Sequence, residues 1–543
     1  MSVGEVIPVI EIPTRTKGPM RKTLRWQWML LAVIVFAALL LRTYHLSQVS
    51  LWLDETDFFN EKVWGSHPQS LFDFARSTKD ATTNTWGWPA VIWMSCRMFG
   101  ATVGVARVPS VVAGTALVLL VFMIVYRLIP KTSKGDGFIP AIFAAVIAAM
   151  AMPQMEFSQR TYPYGAAPFA AAGLLLAHLE VLRAASASER SERRLFRHLA
   201  LYTITASLVL CIHPSLALLL AVSVTLLIAR LLPNFLRQTW EERKRVLCFA
   251  LGATLILVCS ALLNAKNPKY GYRPYLVPYY HAPSLGSIPV LLKHAYDVFT
   301  YNLNPFYNTS LYWPEQVNWA ILPLVLLCVW GWVKAASGKF GEQARQLSLL
   351  AFVALAMPAL LSLRRAFPFG GVRQTLFLSP LFFVFTALGF YALRSRRATR
   401  LLGMSIAILY VVFWALNLPR FYSDREPAYS AEEIVRAWQE NGKLPVYARG
   451  CEREVQYGLR GHPEIRIESL PLFSRPPYLL ISTHWPPLEQ NHMFSGFAEY
   501  LQKSGYRATP VTQEAPKNLD SLQHSTCLYF PPNGLWIYKV SAP

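Results

Sequence analysis

The stretch RWQWMLLAVIVFAALLLRTYH, residues 25–45, decides the class of this protein. From Trp26 to Leu41 it holds no charged residue. With its edges extended by a residue or two, such a run is long enough to cross a bilayer as a helix. Arg15, Lys17, Arg21, Lys22 and Arg25 precede it, which is the layout of a secretory leader. Arg42, Thr43, Tyr44 and His45 follow it, where a leader would carry a small-residue cleavage site. The run is expected to stay in the chain as a first transmembrane helix, Trp26–Tyr44.

Ten further apolar runs follow: Val108–Leu128, Phe138–Met152, Ala166–Leu182, Leu199–Ile212, Ser215–Leu232, Val246–Leu263, Trp319–Trp332, Leu347–Leu363, Thr375–Leu393 and Leu401–Leu418. Several fall short of the roughly 17 residues that span a bilayer, so their ends are expected to extend. Apolar residues make up 53% of the 543 and charged residues 15%, which excludes a string of soluble domains. The net charge of +21 would suit a nucleic-acid partner if it were clustered on one surface. Instead Lys and Arg occupy short loops between apolar runs, the pattern that sets membrane orientation. No nucleic acid is expected. The chain shows no Gly-rich phosphate loop, no Cys/His metal spacing and no repeat of fixed period.

The loops test this count. One alternate set carries Lys131 and Lys134; Arg190, Arg193, Arg194 and Arg197; Arg237, Arg243, Lys244 and Arg245; Lys334, Lys339 and Arg345; and Arg394, Arg396, Arg397 and Arg400. With residues 1–25 cytoplasmic, these loops all fall inside, as positive loops should. An odd number of spans then puts the C-terminal part outside. That puts the C-terminal domain in the periplasm or its equivalent.

The membrane domain would cover 26–418, with long outer loops at 45–107 and 264–318. In the first loop Trp86–Phe99 is apolar but short, and is expected to lie in the interface as an amphipathic helix. Counting it as a span would invert every later loop. The second loop is dense in Tyr and Pro; its tyrosines either anchor at headgroups or stack on sugars. Residues 419–543 change character. Ser430-Ala431-Glu432-Glu433 is a capping box before a helix that stops near Asn441-Gly442. Strand-like runs follow at Pro445–Ala448, Ile465–Ile467, Tyr478–Ser482, Arg507–Val511 and Leu535–Val540, with a helix at Phe494–Lys503. The fold class expected is an α-helical polytopic membrane protein of about eleven helices with a small C-terminal α/β soluble domain. Cys451 and Cys527 lie in that domain, either as a disulfide favoured by an oxidising compartment or as two free thiols.

The sharpest chemical feature follows the first span: Ser50-Leu51-Trp52-Leu53-Asp54-Glu55-Thr56-Asp57. One reading is that these acids favour the N-terminus of a short helix through its dipole. The other is that Asp54 is a general base, its pKa raised by an apolar wall at the membrane edge.

Leu51-Trp52-Leu53-Asp54-Glu55, just outside the first span, resembles the signature of the GT-C glycosyltransferases. The nearest branch includes the lipopolysaccharide galacturonosyltransferases, akin to the lipid A aminoarabinose transferase and the protein O-mannosyltransferases. Further matching elements come in order: Trp88-Pro89, Phe99-Gly100, Arg107-Val108-Pro109-Ser110, Phe157-Ser158-Gln159-Arg160-Thr161-Tyr162, His213, and Arg373 before Pro380. The likeness covers roughly the first 400 residues. The chain departs from it at Asn84-Thr85-Trp86-Gly87-Trp88-Pro89, where the family often has His-Pro-Pro or Lys-Pro-Pro, and at Gln374, where it has Tyr. A Trp-Trp-Asp sequence is absent, against an Asn-glycosylating oligosaccharyltransferase.

The resemblance implies an inverting transfer from a polyprenyl-phosphate-linked sugar to a hydroxyl acceptor of the cell envelope. Asp54 would be the base, with Glu55 supporting it, unless Glu55 is a solvated carboxylate. Arg160 and Arg373 would bind the donor phosphate, with Lys79, Arg107, Arg364 and Arg365 behind them. Arg107 could instead snorkel to headgroups. Gln159, Tyr162 and His213 would touch substrate, unless His213 is a satisfied helix end. No cofactor is expected, and a divalent metal is left open. Two rival classes remain: a lipid-linked sugar transporter or flippase, and a non-catalytic envelope scaffold. A transporter would place ionisable residues inside its spans.

Overall fold

The computed structural model describes residues 20–47, 87–130, 137–186, 192–236, 250–255, 279–281, 284–306, 319–395, 397–423, 431–449, 464–469, 477–483, 507–511 and 535–541, with a few isolated positions between them. The membrane body contains α1 (Met20–Thr43), α2 (Gly87–Phe99), α3 (Val103–Leu128), α4 (Phe138–Met150), α5 (Met152–Ser158), α6 (Pro163–Ser186), α7 (Glu192–Ile212) and α8 (Leu216–Leu236). After these come α9 (Ile288–Leu303), α10 (Leu322–Ala336), α11 (Glu342–Leu363), α12 (Ser379–Ala392) and α13 (Arg397–Ser423). Among the described residues nine helices are long and apolar enough to cross a membrane, or ten if the bent pair α4–α5 is one span. The chain is thus an integral membrane protein with multiple spans. Of the expected span Val246–Leu263, residues 250–255 are described and helical, and most of the rest lies outside the described residues.

The expected span Phe138–Met152 is corrected. The helix stops at Met150, and α5 continues from Met152 at a bend of 57°. Pro153 explains the break: it has no N–H to offer the Ala149 carbonyl, and its ring would strike that carbonyl in a straight helix. The Met152 N–H, which would have bonded Ala148, goes instead to the Asn304 carbonyl at 2.8 Å. Two carbonyls are left over in a buried place, where an unsatisfied polar group is costly. Arg42, fully buried at the end of α1, takes both, with Nη2 on the Ala148 oxygen at 3.1 Å and Nη1 on that of Ala149 at 3.2 Å. Its Nε reaches Ser158 Oγ at 3.3 Å. A cation at the C-terminal end of α4 also meets the negative end of that helix's dipole.

Every residue of α12 except Tyr391 is buried, so this helix forms the axis of the bundle. A helix apolar all round belongs in such a core. Two glycines let α10 lie against it. A Cβ on Gly331 would stand 1.9 Å from the Phe385 oxygen, and one on Gly389 would stand 2.0 Å from the Leu327 oxygen. Close approach through small residues is how membrane helices gain packing energy.

The ends of the helices sort into two faces. At one, Arg127 and Arg183 pair with Glu180, and Arg183 reaches the Arg127 carbonyl and Gln343. This joins the C-terminal ends of α3 and α6 to the start of α11. The C-terminal ends of α1, α5 and α7 meet the start of α12 at the other face. Helix α2 has one buried face, with Trp88, Ile92, Trp93 and Cys96, and exposes Val91, Met94, Met98 and Phe99, as an interfacial helix would.

The C-terminal part has α14 (Ala431–Glu440) and five strands: β1 (Val446–Arg449), β2 (Ile467–Ser469), β3 (Tyr478–Thr483), β4 (Arg507–Pro510) and β5 (Leu535–Ser541). Their order is β2-β1-β3-β5-β4, with β1 parallel to β2 and β3, and β5 antiparallel to β3 and β4. Ile434 and Ala437 of α14 pack with Val446, Leu459, Ile465 and Leu479. The second strand begins two residues later than the pattern Ile465–Ile467 suggests, because Ile465 belongs to that core. The expected helix Phe494–Lys503 and both Cys451 and Cys527 lie outside the described residues.

Arg42→Leu leaves the Ala148 and Ala149 carbonyls without their partner, at roughly 1–3 kcal/mol for each buried unsatisfied group. Thermal unfolding of the purified protein in detergent is expected to begin several degrees lower in this variant, and an unchanged midpoint would refute the capping role.

Candidate functional site

The site grows from the turn between α5 and α6, residues 159–162. Gln159 fixes it to α1. Its side-chain amide donates to the carbonyls of Leu41, Arg42 and Tyr44 at 3.0, 2.9 and 3.1 Å, filling acceptors that a helix end leaves open. Trp88 Nε1 donates to the Thr161 carbonyl at 3.0 Å, tying α2 to the same turn. Gly165 allows the turn to be tight, because a Cβ there would lie 2.4 Å from the Phe157 oxygen.

On this base two tyrosines stack. Tyr162 and Tyr164 have ring centroids 5.5 Å apart at an interplanar angle of 17°, and both are buried. The Arg373 guanidinium lies 5.4 Å from the first ring centroid and 5.1 Å from the second. Each such cation–π contact is worth about 0.5–2 kcal/mol, more when desolvated. Arg373 opens a 3-10 turn, Arg373–Leu378, that leads into α12. Arg160 leans back on Glu156, its Nε donating to the carboxylate at 2.9 Å. Tyr301, on α9, completes a hydrophobic cluster with Phe157, Tyr162, Tyr164 and Leu376. Its hydroxyl is buried and has no hydrogen-bond partner among the described residues. Burial pushes that hydroxyl above its usual range, and it lies within electrostatic reach of Arg373, Tyr279, Glu156 and Tyr164.

His213 sits between α7 and α8, 4.9 Å from the Tyr164 ring. Burial, reinforced by Arg373, pushes its pKa down to about 3. Its Nδ1 accepts the Ser215 N–H at 3.2 Å, so the neutral ring carries its proton on Nε2. A second histidine group lies close by: His294 Nδ1 and His281 Nε2 are 3.0 Å apart, and Tyr279 packs on His294. Burial also lowers both of these, His294 to about 4. Gly370, at φ +153°, gives the chain room here, since a Cβ would meet the Tyr279 ring at 2.7 Å.

The structure therefore gathers Arg160, Tyr162, His213 and Arg373 at one place. Gln159 is at the same turn, with its amide nitrogen committed to α1. Arg107 is fully buried and donates to the Leu46 carbonyl at 2.9 Å, so it does not snorkel. Arg364 and Arg365 are exposed. Asp54, Glu55 and Lys79 lie outside the described residues. Sequence reasoning missed Arg42, Glu156 and Tyr301. For the first two there was a signal: a cation closing an apolar run, and a lone acid one helical turn before Arg160, both rare next to hydrocarbon. Among the described residues no three His, Cys, Asp or Glu side chains come together as a metal site would need.

No protein-family model matches the sequence, and no curated protein matches it. In fold the chain is similar to ArnT from Cupriavidus metallidurans in the apo state, with 12% identity and a TM-score of 0.48 over 96% of this chain and 100% of that one. It is similar to the same protein bound to undecaprenyl phosphate, with 12% identity and a TM-score of 0.46 over 97% and 100%. It is also similar to the archaeal oligosaccharyltransferase AglB from Archaeoglobus fulgidus, in complex with an inhibitory peptide and a dolichol-phosphate. There the identity is 10% and the TM-score 0.46, over 88% of this chain and 71% of that one. These likenesses concern the path of the chain and assign no residue.

The depressed pKa of His213 sets a sign for acid stability. The unfolded histidine takes up its proton near pH 6.5 and the folded one near 3, so stability is lost as pH falls through that window. At pH 5 the loss approaches about 2 kcal/mol for this group. His213→Gln removes it, so the fall in melting midpoint from pH 7 to pH 5 should be smaller in the variant than in the native protein. Equal falls would show that His213 is not buried neutral.

Proposed function

We propose that this protein is an inverting glycosyltransferase that moves a sugar from a polyprenyl-phosphate donor to a hydroxyl acceptor of the cell envelope, a glycolipid, polysaccharide or protein. The observation that carries the reading is Arg373, held over the Tyr162 and Tyr164 rings beside Arg160, at the face where α1 emerges. From Leu46, fixed there by Arg107, eight residues lead to Asp54, a reach of at most about 28 Å. In this reading the motif Leu51-Trp52-Leu53-Asp54-Glu55, which lies outside the described residues, works at the same face.

In this reading the lipid tail of the donor stays in the bilayer and its phosphate meets the arginines. Asp54 takes the proton of the acceptor hydroxyl, whose oxygen attacks the anomeric carbon from the side opposite the phosphate. The bond between that carbon and the phosphate oxygen breaks, its electron pair stays on the phosphate, and configuration inverts. Charge grows on the leaving phosphate, and fixed cations lower the barrier by meeting it. A planar guanidinium can grip a phosphate at two oxygens, which suits Arg160 and Arg373 to hold the donor phosphate and Arg373 to meet the charge that grows on it. Tyr162 and Tyr164 hold Arg373 in place, and neutral His213 packs on Tyr164. The scheme asks for no cofactor. It places the face outside the cytoplasm, in a bacterial inner membrane, with residues 1–25 inside, 26–418 as the membrane domain and 419–543 in the periplasm.

The test is transfer in membranes supplied with labelled polyprenyl-phosphate sugars. Asp54→Asn should abolish it with assembly intact, and Arg373→Gln should lower kcat by about 10²–10³, as loss of one transition-state donor does. Full transfer by Asp54→Asn would remove the base. A native protein that transfers no sugar but moves labelled lipid between leaflets would replace the enzyme by a flippase.

A further inference from the structure

A site that holds phosphate with arginines has no obvious use for a carboxylate, yet one is built in. Glu156 is 3% exposed, and its side chain accepts Arg160 Nε at 2.9 Å. Burying an anion is costly unless it is paired, and a fixed negative charge repels an incoming one. Glu156 shares its surroundings with Arg373, because the Tyr301 hydroxyl lies within electrostatic reach of both. That side chain, 3% exposed, packs with Phe157, Tyr162 and Tyr164, and its hydroxyl has no hydrogen-bond partner among the described residues.

The two lipids that would occupy this place differ in charge. The donor is a phosphodiester with one negative charge. When its glycosidic bond breaks, the electron pair stays on the phosphate, and the product is a monoester carrying close to two charges at pH 7. Resting on the donor reading above, we infer that Glu156 is a charge filter: its buried carboxylate, held on Arg160, tolerates the singly charged donor and disfavours the doubly charged lipid phosphate left behind. Arg373, over its neutral rings, meets the charge as it develops. Glu156 keeps the pair with Arg160 close to neutral, so the finished dianion is not trapped and leaves.

The experiment measures binding of undecaprenyl phosphate and of its methyl diester to the full-length protein in nanodiscs. Glu156→Gln is expected to tighten the monoester about ten-fold and to change the diester by less than about three-fold, as expected when one like charge is lifted from a site. Glu156→Asp keeps the charge while altering the contact with Arg160, and should keep the native ratio of the two affinities. If Glu156 merely positions Arg160, both variants shift both lipids together, and the filter is wrong. The native protein gives a readout that needs no variant. Arginines alone would favour the dianion strongly, so a native preference for the monoester of ten-fold or more overturns the inference. Failure of the native protein to bind either lipid would sink the donor reading itself, whereas monoester binding with an unchanged ratio in Glu156→Gln would sink only the filter.

Discussion

Two carbonyls, those of Ala148 and Ala149, set the geometry on which the site depends. Within a membrane no water waits to satisfy them, so a helix can break there only if the protein supplies donors. Arg42 supplies them from the next helix. The break turns α5 by 57° and carries Glu156, Ser158, Gln159 and Arg160 away from the line of α4. Without the turn, the residues after Ser158 would continue along the helix axis. With it, Gln159 lands on the end of α1 and Thr161 on Trp88. Arg42 is thus far more than the end of an apolar run. It exchanges a large desolvation cost for a fixed bend, and burial draws no net stability from it unless its hydrogen bonds are made.

The same logic explains how two arginines with different surroundings share one site. Arg160 rests on a carboxylate and Arg373 on aromatic faces. A carboxylate cancels a neighbouring positive charge at short range, whereas a ring orients it and leaves the charge in being. The packing of Gly165 under Phe157 and of α12 through Gly331 and Gly389 holds these surroundings at fixed distances. A site of the proposed kind, one that meets a developing phosphate charge, gains from such preorganisation because no reorganisation is needed.

Much of this was legible in the sequence. Charge-free runs and alternating basic loops are set by transfer energies that act residue by residue, so most of the spans and the short helix over Gly87–Phe99 could be read directly. Arg160, Tyr162, His213 and Arg373 were marked by the resemblance to the GT-C sequence elements rather than by the local pattern. What the sequence could not show depends on partners distant along the chain. Pro153 was visible near the end of a short run, but nothing local says that Arg42 would absorb its consequences. Gln159 looked like a substrate contact, and the structure gives its amide a structural use. Arg107 had two open readings, phosphate or headgroup, and took a third partner, the Leu46 carbonyl. Tyr301, His281 and His294 come from a Tyr-rich loop and the helix after it, where composition alone does not say which ring will be buried.

Arg107 and Gln159 also illustrate why motif residues need sorting by what they touch. Both hold the end of α1 and the turn after it, Gln159 at the Leu41, Arg42 and Tyr44 carbonyls and Arg107 at that of Leu46. A change at either would loosen the end of α1 at residues 41–46. The histidines point the same way. His213 and His294 are held neutral well below pH 6, and arginine does not lose its proton at any relevant pH. The protein's own positive charge at the site is therefore constant across neutral pH. If the proposed lipid donor binds there, the charge that changes belongs to it, since a phosphate monoester takes its second proton near pH 6 and a diester has none to take. A fixed set of protein charges facing a ligand whose charge rises on reaction is the condition under which a single carboxylate can separate donor from product.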